Sequence, residues 1–499
     1  MKNLISIKGL QKIGVERVLE ESERMVPYAK NGKIFPLKFK TGFATPKVCV
    51  LALEKSHRTA GSFYNASKLI GLDPERLNED DTSIPKNETF GRTIRMLLIQ
   101  GYSILVIRTH YEGGPKYAIE VVKRSGYNAP IVNAGDGRNH HPSQTLLDLF
   151  TIKRKFGGLG KNLAIALYGD IVNSRVAHGL FQAARMFDFR IGLFSDASIP
   201  SYWLKDVRTV EITDSLKELH QCQIFYALRP QFERMSPTEI QIWLNSNRRL
   251  TPAFLDAHCH PRVVILHAQP IDKGQDSIKL FPGLDYDPRF RAIDEQASNG
   301  MPIRMFLLAD AFKNMNRQEE LPEPKFNLKT RSYELISSRL KKKQYKIFRP
   351  IKTGTVIDHL PALKGRVIDL LISKMGFPEG TGLVARGIES KSHGTKDVIV
   401  LEEMFLPPLV LASIALLAPD ATFNELKNGR IAKLHIEGNL YDIPASFPCP
   451  NPDCISNNDP ECQQKFSAQN IEGERIITCS WCEREFNIEE IWRNIKTKF

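Results

Sequence analysis

Two short cysteine pairs, Cys449-x4-Cys454 and Cys479-x2-Cys482, stand 24 residues apart near the end of the chain. Zinc takes four thiolates at tetrahedral corners, and two knuckles facing each other across a hairpin supply them without a large core. Disulfides are the competing reading. Cys49, Cys222 and Cys259 lie singly in apolar or mixed stretches and no signal peptide precedes Met1, which fits a reducing cytosol where paired thiolates bind metal more often than they oxidise. The expectation is a cytoplasmic chain with one structural zinc on Cys449, Cys454, Cys479 and Cys482. Four thiolates close the shell and leave no position for catalysis. Cys462, between the pairs, is expected to be a bystander.

A second set of reactive residues is cationic and scattered through the first three hundred positions. Val48 to Leu53 reads as a buried strand, Glu54-Lys55-Ser56-His57-Arg58-Thr59 as a polar turn, and Phe63, Ala66, Ser67 and Ile70 as one face of a helix. Such a strand–turn–helix is an anion cradle, with free N–H groups at the helix start and Ser56, Arg58 and Thr59 adding donors. An ordinary N-cap using Ser56 or Thr59 explains the same residues. The construction returns at Leu163 to Asp170, followed by Arg175 and a helix with Val176, Leu180, Ala183 and Phe187 inside. Arg175 would stand at the carboxyl edge of a sheet, where open α/β folds bind ligands; a surface arginine at a helix start is the alternative. Between the two lies the polar loop Asp136 to Gln144, with His140 and His141 adjacent. Histidines in a loop are usually exposed, though one could serve as a donor or metal ligand.

Positioning these loops requires apolar strands alternating with amphipathic helices, the pattern of a parallel sheet covered on both faces. The chain has 499 residues, enough for three or four units, and its 42% hydrophobic content can fill several cores. The longest apolar stretch, Met404 to Pro419, contains Pro407 and Pro408 and falls short of the roughly 20 residues of a membrane span. A net charge of +13 raises nucleic-acid binding as a first thought. Over half of that excess, eleven Lys or Arg against four Glu, lies between Lys313 and Pro350. With Pro322, Pro324 and Lys341-Lys342-Lys343, this segment reads as a solvated tether. No nucleic acid and no membrane are expected as partners.

Taken in order, these pieces resemble aspartate carbamoyltransferase with its catalytic and regulatory chains fused. The most specific stretch is Gly135-Asp136-Gly137 through His141-Pro142-Ser143-Gln144-Thr145-Leu146-Leu147-Asp148-Leu149-Phe150. Glu54 to Thr59 resembles that family's carbamoyl-phosphate loop, Ile107-Arg108 with Glu112-Gly113 a second anion-binding strand end, Lys86-Asn87-Glu88-Thr89 its mobile loop, and Leu228 to Arg234 its aspartate grip. Gly354 to Ala362 is similar to the start of the regulatory chain, and Cys449 to Ser456 to its zinc domain. The resemblance covers nearly all but the tether.

The resemblance implies an α/β fold of two doubly wound parallel-sheet catalytic domains, followed by a small α+β regulatory domain and a zinc ribbon. The expected bounds are 1–142 for a carbamoyl-phosphate domain with a return helix at about 291–315, 143–290 for an aspartate-binding domain, 316–347 for the basic linker, 348–440 for the regulatory domain and 441–499 for the zinc domain. It implies carbamoyl transfer from carbamoyl phosphate to L-aspartate, in de novo pyrimidine biosynthesis, without a covalent intermediate and with most of the rate from orientation and electrostatics. Ser56, Arg58, Thr59 and Lys86 would hold the phosphate, with Thr82 or Ser83 from an adjacent chain. Arg108, Thr59 and His141 would polarise the carbamoyl oxygen, Gln144 would bind the carbamoyl amide, and Arg175, Arg229 and Gln231, with Lys86, would hold aspartate. Arginine suits these anions because its planar fork donates two parallel hydrogen bonds. A homo-oligomer of catalytic trimers, paired through regulatory domains, is implied.

Departures from the pattern fall in both halves. His57 and Ala60 replace a hydroxyl and a cation, and Gln269 in His267-Ala268-Gln269-Pro270 replaces a leucine. In the regulatory half, Leu363, Val367, Leu370, Leu371 and Lys374 trace a helix, Pro408 to Leu417 a second, and Val398 to Leu401 a strand. Asp358, His359 and Lys396 match nucleotide-contacting positions, but Val400, Gly429 and Leu434 stand where a lysine, a tyrosine and a lysine are expected, with Lys433 one place off. Weak, altered or absent nucleotide control is the expectation. The competing readings are a carbamoyltransferase for ornithine or another amine, a catalytically impaired binding protein on the same body, and last a nucleic-acid binder.

Overall fold

The computed structural model describes residues 1–37, 45–54, 57–194, 199, 201–212, 216–232, 235–245, 250–268, 287–317, 320–334, 351–378, 382–390, 394–428, 430–471 and 473–498. Ser56, Gln269, Gly429 and the run 335–350 of the expected tether lie outside the described residues. The chain divides into two units, Met1–Gln318 and Glu319–Phe499.

The first unit holds two parallel sheets. β1 (Lys47–Ala52), β2 (Asp73–Asn78), β3 (Tyr102–Thr109) and β4 (Ile131–Asp136) form one in the order β2-β1-β3-β4. β5 (Ala164–Gly169), β6 (Arg190–Phe194), β7 (Thr209–Val210), β8 (Ile224–Leu228) and β9 (Val264–His267) form the other in the order β7-β6-β5-β8-β9. Val48 to Leu51, Ile104 to Ile107, Ala164 to Leu167 and Ile224 to Ala227 are almost wholly buried, as expected of parallel strands covered on both faces. The strand order reverses between β1 and β3 and between β5 and β8. Such switch points open crevices beyond the carboxyl ends of the strands. Glu54 and Arg229 follow the ends of β1 and β8, Arg108 stands at the carboxyl end of β3, and Arg175 opens the helix that follows β5.

Helices fix the loop exits. The helix His57–Leu69 buries Ala60, Phe63, Ala66 and Ser67, and Arg175–Phe187 buries Val176, Leu180, Ala183 and Phe187. Pro142–Phe156 starts with proline, whose fixed φ and missing N–H suit a first helical position. It ends at Gly157 in the left-handed conformation (φ +78°), with Lys153, Arg154 and Lys155 in its last turn facing the negative end of the helix dipole. The long helix Arg291–Lys313 packs against His57–Leu69 and Pro142–Phe156.

The second unit is built on a nine-stranded sheet. β10 (Lys325–Glu334), β11 (Gly354–Pro361), β12 (Gly382–Ser390), β13 (Gly394–Glu402), β14 (Thr422–Lys427), β15 (Arg430–Pro444), β16 (Lys465–Ile471), β17 (Glu474–Cys479) and β18 (Glu485–Asn487) follow in chain order. The sheet runs β12-β13-β11-β14-β15-β16-β17-β18, with β10 on β15. β10 corrects the tether expectation in its middle: it pairs antiparallel with β15 from Leu328 opposite Ile436 to Glu334 opposite Arg430. Phe326 and Leu328 are half-buried while Lys325, Lys329 and Arg331 are exposed, so three of the cations that suggested a solvated linker lie on one face of a docked strand. The regulatory helix is also shifted. It runs Gly365–Lys374 and buries Ile368, Leu371 and Ile372, whereas Leu363 precedes it with φ +64° and is 73% exposed. Pro408–Leu417 is a helix with eight buried residues. Among the described residues no helix is long and apolar enough to cross a membrane.

Candidate functional site

Asp136 organises the loop that joins the two sheets. Its carboxylate accepts from the backbone N–H of Gly113 at 2.9 Å and of His140 at 3.0 Å, and from the side-chain amides of Asn133 at 2.9 Å and Asn139 at 3.1 Å. Full burial raises its pKa, and these donors with His140 oppose the shift. The turn so fixed leaves Gly135 at φ +122°, where a Cβ would lie 3.0 Å from Arg108 Nη1 and 3.1 Å from Arg175 Nη1. Two guanidiniums, one from the end of β3 and one from the start of the helix after β5, therefore converge over a residue that has no side chain. Both reach one carboxylate: Glu54 Oε2 is 3.1 Å from Arg108 Nη2 and 3.2 Å from Arg175 Nη1. Arg175 also donates to Gly137 O at 2.9 Å, and Arg108 to Ala134 O at 3.3 Å.

His141 closes this cluster. Its ring is buried, its Nε2 lies 3.4 Å from Thr59 Oγ1, and its Nδ1 has no hydrogen-bond partner among the described residues. Burial first, then Arg175, Arg108 and Arg304, hold its pKa well below the ordinary histidine value, so the imidazole is neutral and offers one N–H donor. Gln231 is fixed beside the carboxyl end of β5, its backbone N–H donating to Asp170 Oδ2 at 3.0 Å and its amide to Asn173 O at 2.6 Å. Arg229 lies close enough to help depress the pKa of His267, which burial pushes down to about 4. An arrangement of this kind can hold anions and stabilise a developing negative charge in a site with little water.

The structure thus brings Thr59, Arg108, His141 and Arg175 together, and Gln144 stands three residues after His141 on the same helix start. Among the described residues it does not bring in Arg58 or Lys86. Arg58 is exposed in the first turn of its helix. Thr82 Oγ1 donates to Glu79 O at 2.6 Å, while Ser83 and Lys86 are exposed. The side chain of Lys86 makes no hydrogen bond or ion pair among the described residues, and this loop has none with the arginine cluster.

Sequence reasoning missed the counter-ion of the cluster and the buried network around Gln144. Glu54 was read as part of a loop, not as the shared counter-ion of two arginines. Asp148, Tyr226, Gln296 and Arg304 were not singled out. The available signals were the four-residue spacing of Gln144 and Asp148 and the eight-residue spacing of Gln296 and Arg304, which place each pair on one helix face.

In the second unit, Cys449, Cys454, Cys479 and Cys482 are all buried and their sulfurs lie within 4.8 Å of one another. Cys449 and Cys482 are 3.8 Å apart, and Cys454 and Cys479 are 3.7 Å apart. A tetrahedron with metal–sulfur bonds of about 2.3 Å has edges near 3.8 Å, so the donor set fits a four-coordinate ion. Cys462 is buried but stands outside the four.

Residues 2–154 match the model of the aspartate/ornithine carbamoyltransferase carbamoyl-P binding domain. Residues 347–436 match the aspartate carbamoyltransferase regulatory chain allosteric domain, and residues 440–492 its metal binding domain. The aspartate carbamoyltransferase catalytic subunit of Archaeoglobus fulgidus is 32% identical over 316 residues, an alignment spanning 62% of this chain and 99% of that relative. The chain belongs to the aspartate carbamoyltransferase family. The protein PyrBI of Thermotoga maritima is 28% identical over 483 residues, spanning 89% of this chain and 90% of PyrBI, so the likeness runs through both units. Among solved structures, the catalytic subunit of M. jannaschii aspartate transcarbamoylase superposes with a TM-score of 0.54 at 27% identity, covering 64% of this chain and 100% of that one. The Trypanosoma cruzi enzyme, solved in complex with N-(phosphonacetyl)-L-aspartic acid, superposes with a TM-score of 0.53 at 25% identity, covering 62% and 95%.

In the region of the chain that matches the allosteric domain, the predicted residues are already engaged with one another. Lys396 Nζ is 2.6 Å from Asp358 Oδ1, the same oxygen accepts the His359 backbone N–H at 2.7 Å, and His359 Nδ1 is 3.2 Å from Thr422 Oγ1. A cleft of about 300 Å³ beside them is lined by His359, Leu360, Pro361, Ala362, Thr395, Ala418, Pro419 and Asp420. Val400 is buried in β13. Lys433, one place from the expected cation by sequence, is exposed on β15 opposite Asn424 and Arg331, while Leu434 is buried.

Proposed function

We propose that the protein transfers the carbamoyl group of carbamoyl phosphate to the amine of L-aspartate, giving N-carbamoyl-L-aspartate and phosphate for pyrimidine synthesis. The observation that carries this reading is the meeting of Arg108 and Arg175 over Gly135 beside a neutral, buried His141. The C–N bond forms as the amine attacks, the C–O bond to phosphate breaks, and the proton lost by the amine leaves with the phosphate. Arg108, Thr59 and His141 donate to the carbamoyl oxygen as it gains charge, and preorganised donors of this kind act on the transition state more than on the substrate. Ser56, Arg58, Thr59 and Arg108 bind the phosphate, and Gln144 binds the carbamoyl amide. Arg175, Arg229 and Gln231 bind the two carboxylates of aspartate. The exposed loop with Thr82, Ser83 and Lys86 serves a neighbouring subunit's site for both substrates, which makes the catalytic trimer the working unit; regulatory domains then pair the trimers.

The ion in the four-cysteine site is zinc, which soft thiolates in tetrahedral array favour. Its role is structural, with Cys449, Cys454, Cys479 and Cys482 as ligands. Nucleotides at Asp358, His359 and Lys396 bind weakly or not at all, because the Lys396 ammonium already faces Asp358 and Val400 offers no charge. The deciding experiment is colorimetric measurement of carbamoyl product on metal-replete protein with aspartate and, in parallel, ornithine. Product with aspartate alone supports the reading. Product with ornithine, or none with either, overturns it.

A further inference from the structure

Asp148 is a fully buried carboxyl. It lies one helical turn after Gln144, whose amide nitrogen donates to Asp148 Oδ1 at 3.0 Å. Gln296, from the helix Arg291–Lys313, donates to the same oxygen at 2.6 Å, and Tyr226 of β8 donates to Oδ2 at 3.0 Å. Gln296 is itself oriented, because its oxygen accepts the His267 backbone N–H at 3.0 Å at the end of β9. A single carboxyl therefore joins the helix of His141 and Gln144, the second sheet and the long closing helix.

The consequence is a choice of face for Gln144. A side-chain amide has a donor end and an acceptor end, and with its nitrogen committed to Asp148 the oxygen is the end available to a ligand. A carbamoyl NH₂ group is a donor and needs an acceptor. We propose that Asp148 is a positioning residue that holds the Gln144 amide with its oxygen presented to the carbamoyl NH₂, and couples that setting to the second sheet through Tyr226 and Gln296. This rests on the reading of Gln144 as the ligand of the carbamoyl amide. Arg304 and Tyr226 are the charged or titratable groups that face Asp148. Burial pushes the Asp148 carboxyl up to about 7, with Gln296, Tyr226, Gln144 and Arg304 opposing the shift. As pH falls through about 7 the carboxyl takes a proton, one oxygen becomes a donor, and the acceptor that orients Gln144 is weakened.

The test compares Asp148→Leu and Asp148→Asn, each alone and with Gln144→Ala, in the full chain. Asp148→Leu should raise KM for carbamoyl phosphate by about ten- to a hundredfold, the scale of a lost hydrogen bond to a charged group. Asp148→Asn should restore most of this, since its oxygen still accepts. On the Gln144→Ala background neither change should move that KM further. The wild-type KM for carbamoyl phosphate should rise as pH falls through about 7, and the Asn variant should lack that step. A purely structural role predicts lower melting temperature in both variants with an unchanged KM and an unchanged pH profile, and that result overturns the proposal. Where the Leu variant does not fold, the pH profile of the Asn variant decides. If wild type carbamoylates no amine, the functional reading fails by itself; crystal structures then decide this one, since Gln144 keeping its place without the Asp148 carboxylate refutes it.

Discussion

The arginine cluster and the four-cysteine cluster are built by opposite means. The sulfurs come from two short pairs, and their local turns bring them within 4.8 Å of one another. The guanidinium of Arg108 comes from β3 of one sheet and that of Arg175 from the helix after β5 of the other, and they meet only because Gly135 has no side chain and Glu54 offers one oxygen to both. A metal ion can hold the first site in place, since metal binding and folding are one equilibrium there. The second is held by the Glu54 carboxylate, by the backbone carbonyls of Gly137 and Ala134, and by the packing of the α/β unit around it. Like charges brought together in a buried place cost free energy, so this site stores repulsion that anionic substrates relieve.

The sharpest way to break the comparison is Arg108→Ala. Product formation should fall on the order of 100 to 1,000-fold, as for loss of one oxyanion donor, with no change in metal content. Full turnover in that variant would sink the assignment of the arginine site. Chelation is the reverse experiment. If the folded metal domain holds the oligomer together, removing the metal should shift the sedimentation profile to smaller particles while part of the activity survives, because the arginine site does not use the metal; an unchanged profile contradicts that role. The pH dependence separates the units more gently. Burial lowers His267 in the folded state from an ordinary 6.5 to about 4, so the unfolded chain takes the proton first. Its contribution to stability is therefore fully present above about 6.5 and is lost as pH falls toward about 4. Thermal melts of the protein across that window should decline, and His267→Gln should flatten the decline. The smallest effect is expected from nucleotides. Calorimetric titration with CTP and ATP should show weak or no binding, whereas micromolar CTP affinity with inhibition would show that the Lys396–Asp358 pair opens for a ligand.

The catalytic architecture was legible because buried parallel strands leave continuous apolar runs, as at Val48 to Leu53 and Leu163 to Asp170. The metal site was legible because its ligands are close in sequence. Other features were not. The strand Lys325–Glu334 read as a tether because eleven cations dominate the segment, and a docked edge strand differs from a solvated one only in what its backbone pairs with. Leu363 was placed on a helix face that begins two residues later, since an apolar residue just before a helix looks like its first turn. Lys433 shows the same limit: one residue decides which face of β15 a side chain takes.

The residue types alone determined which chemistry is available: four thiolates for a closed metal shell, and arginines, histidine and amides for anions and a carbamoyl group. They also determined the alternation of strand and helix, through hydrophobic period. Only tertiary structure decided that Arg108 and Arg175 share Glu54, that His141 is neutral, and that Asp148 turns the Gln144 amide. These depend on burial and on distances between residues far apart in the chain, such as the 148 positions from Asp148 to Gln296. A carboxylate or imidazole has no fixed charge or partner until folding removes its water and sets its neighbours.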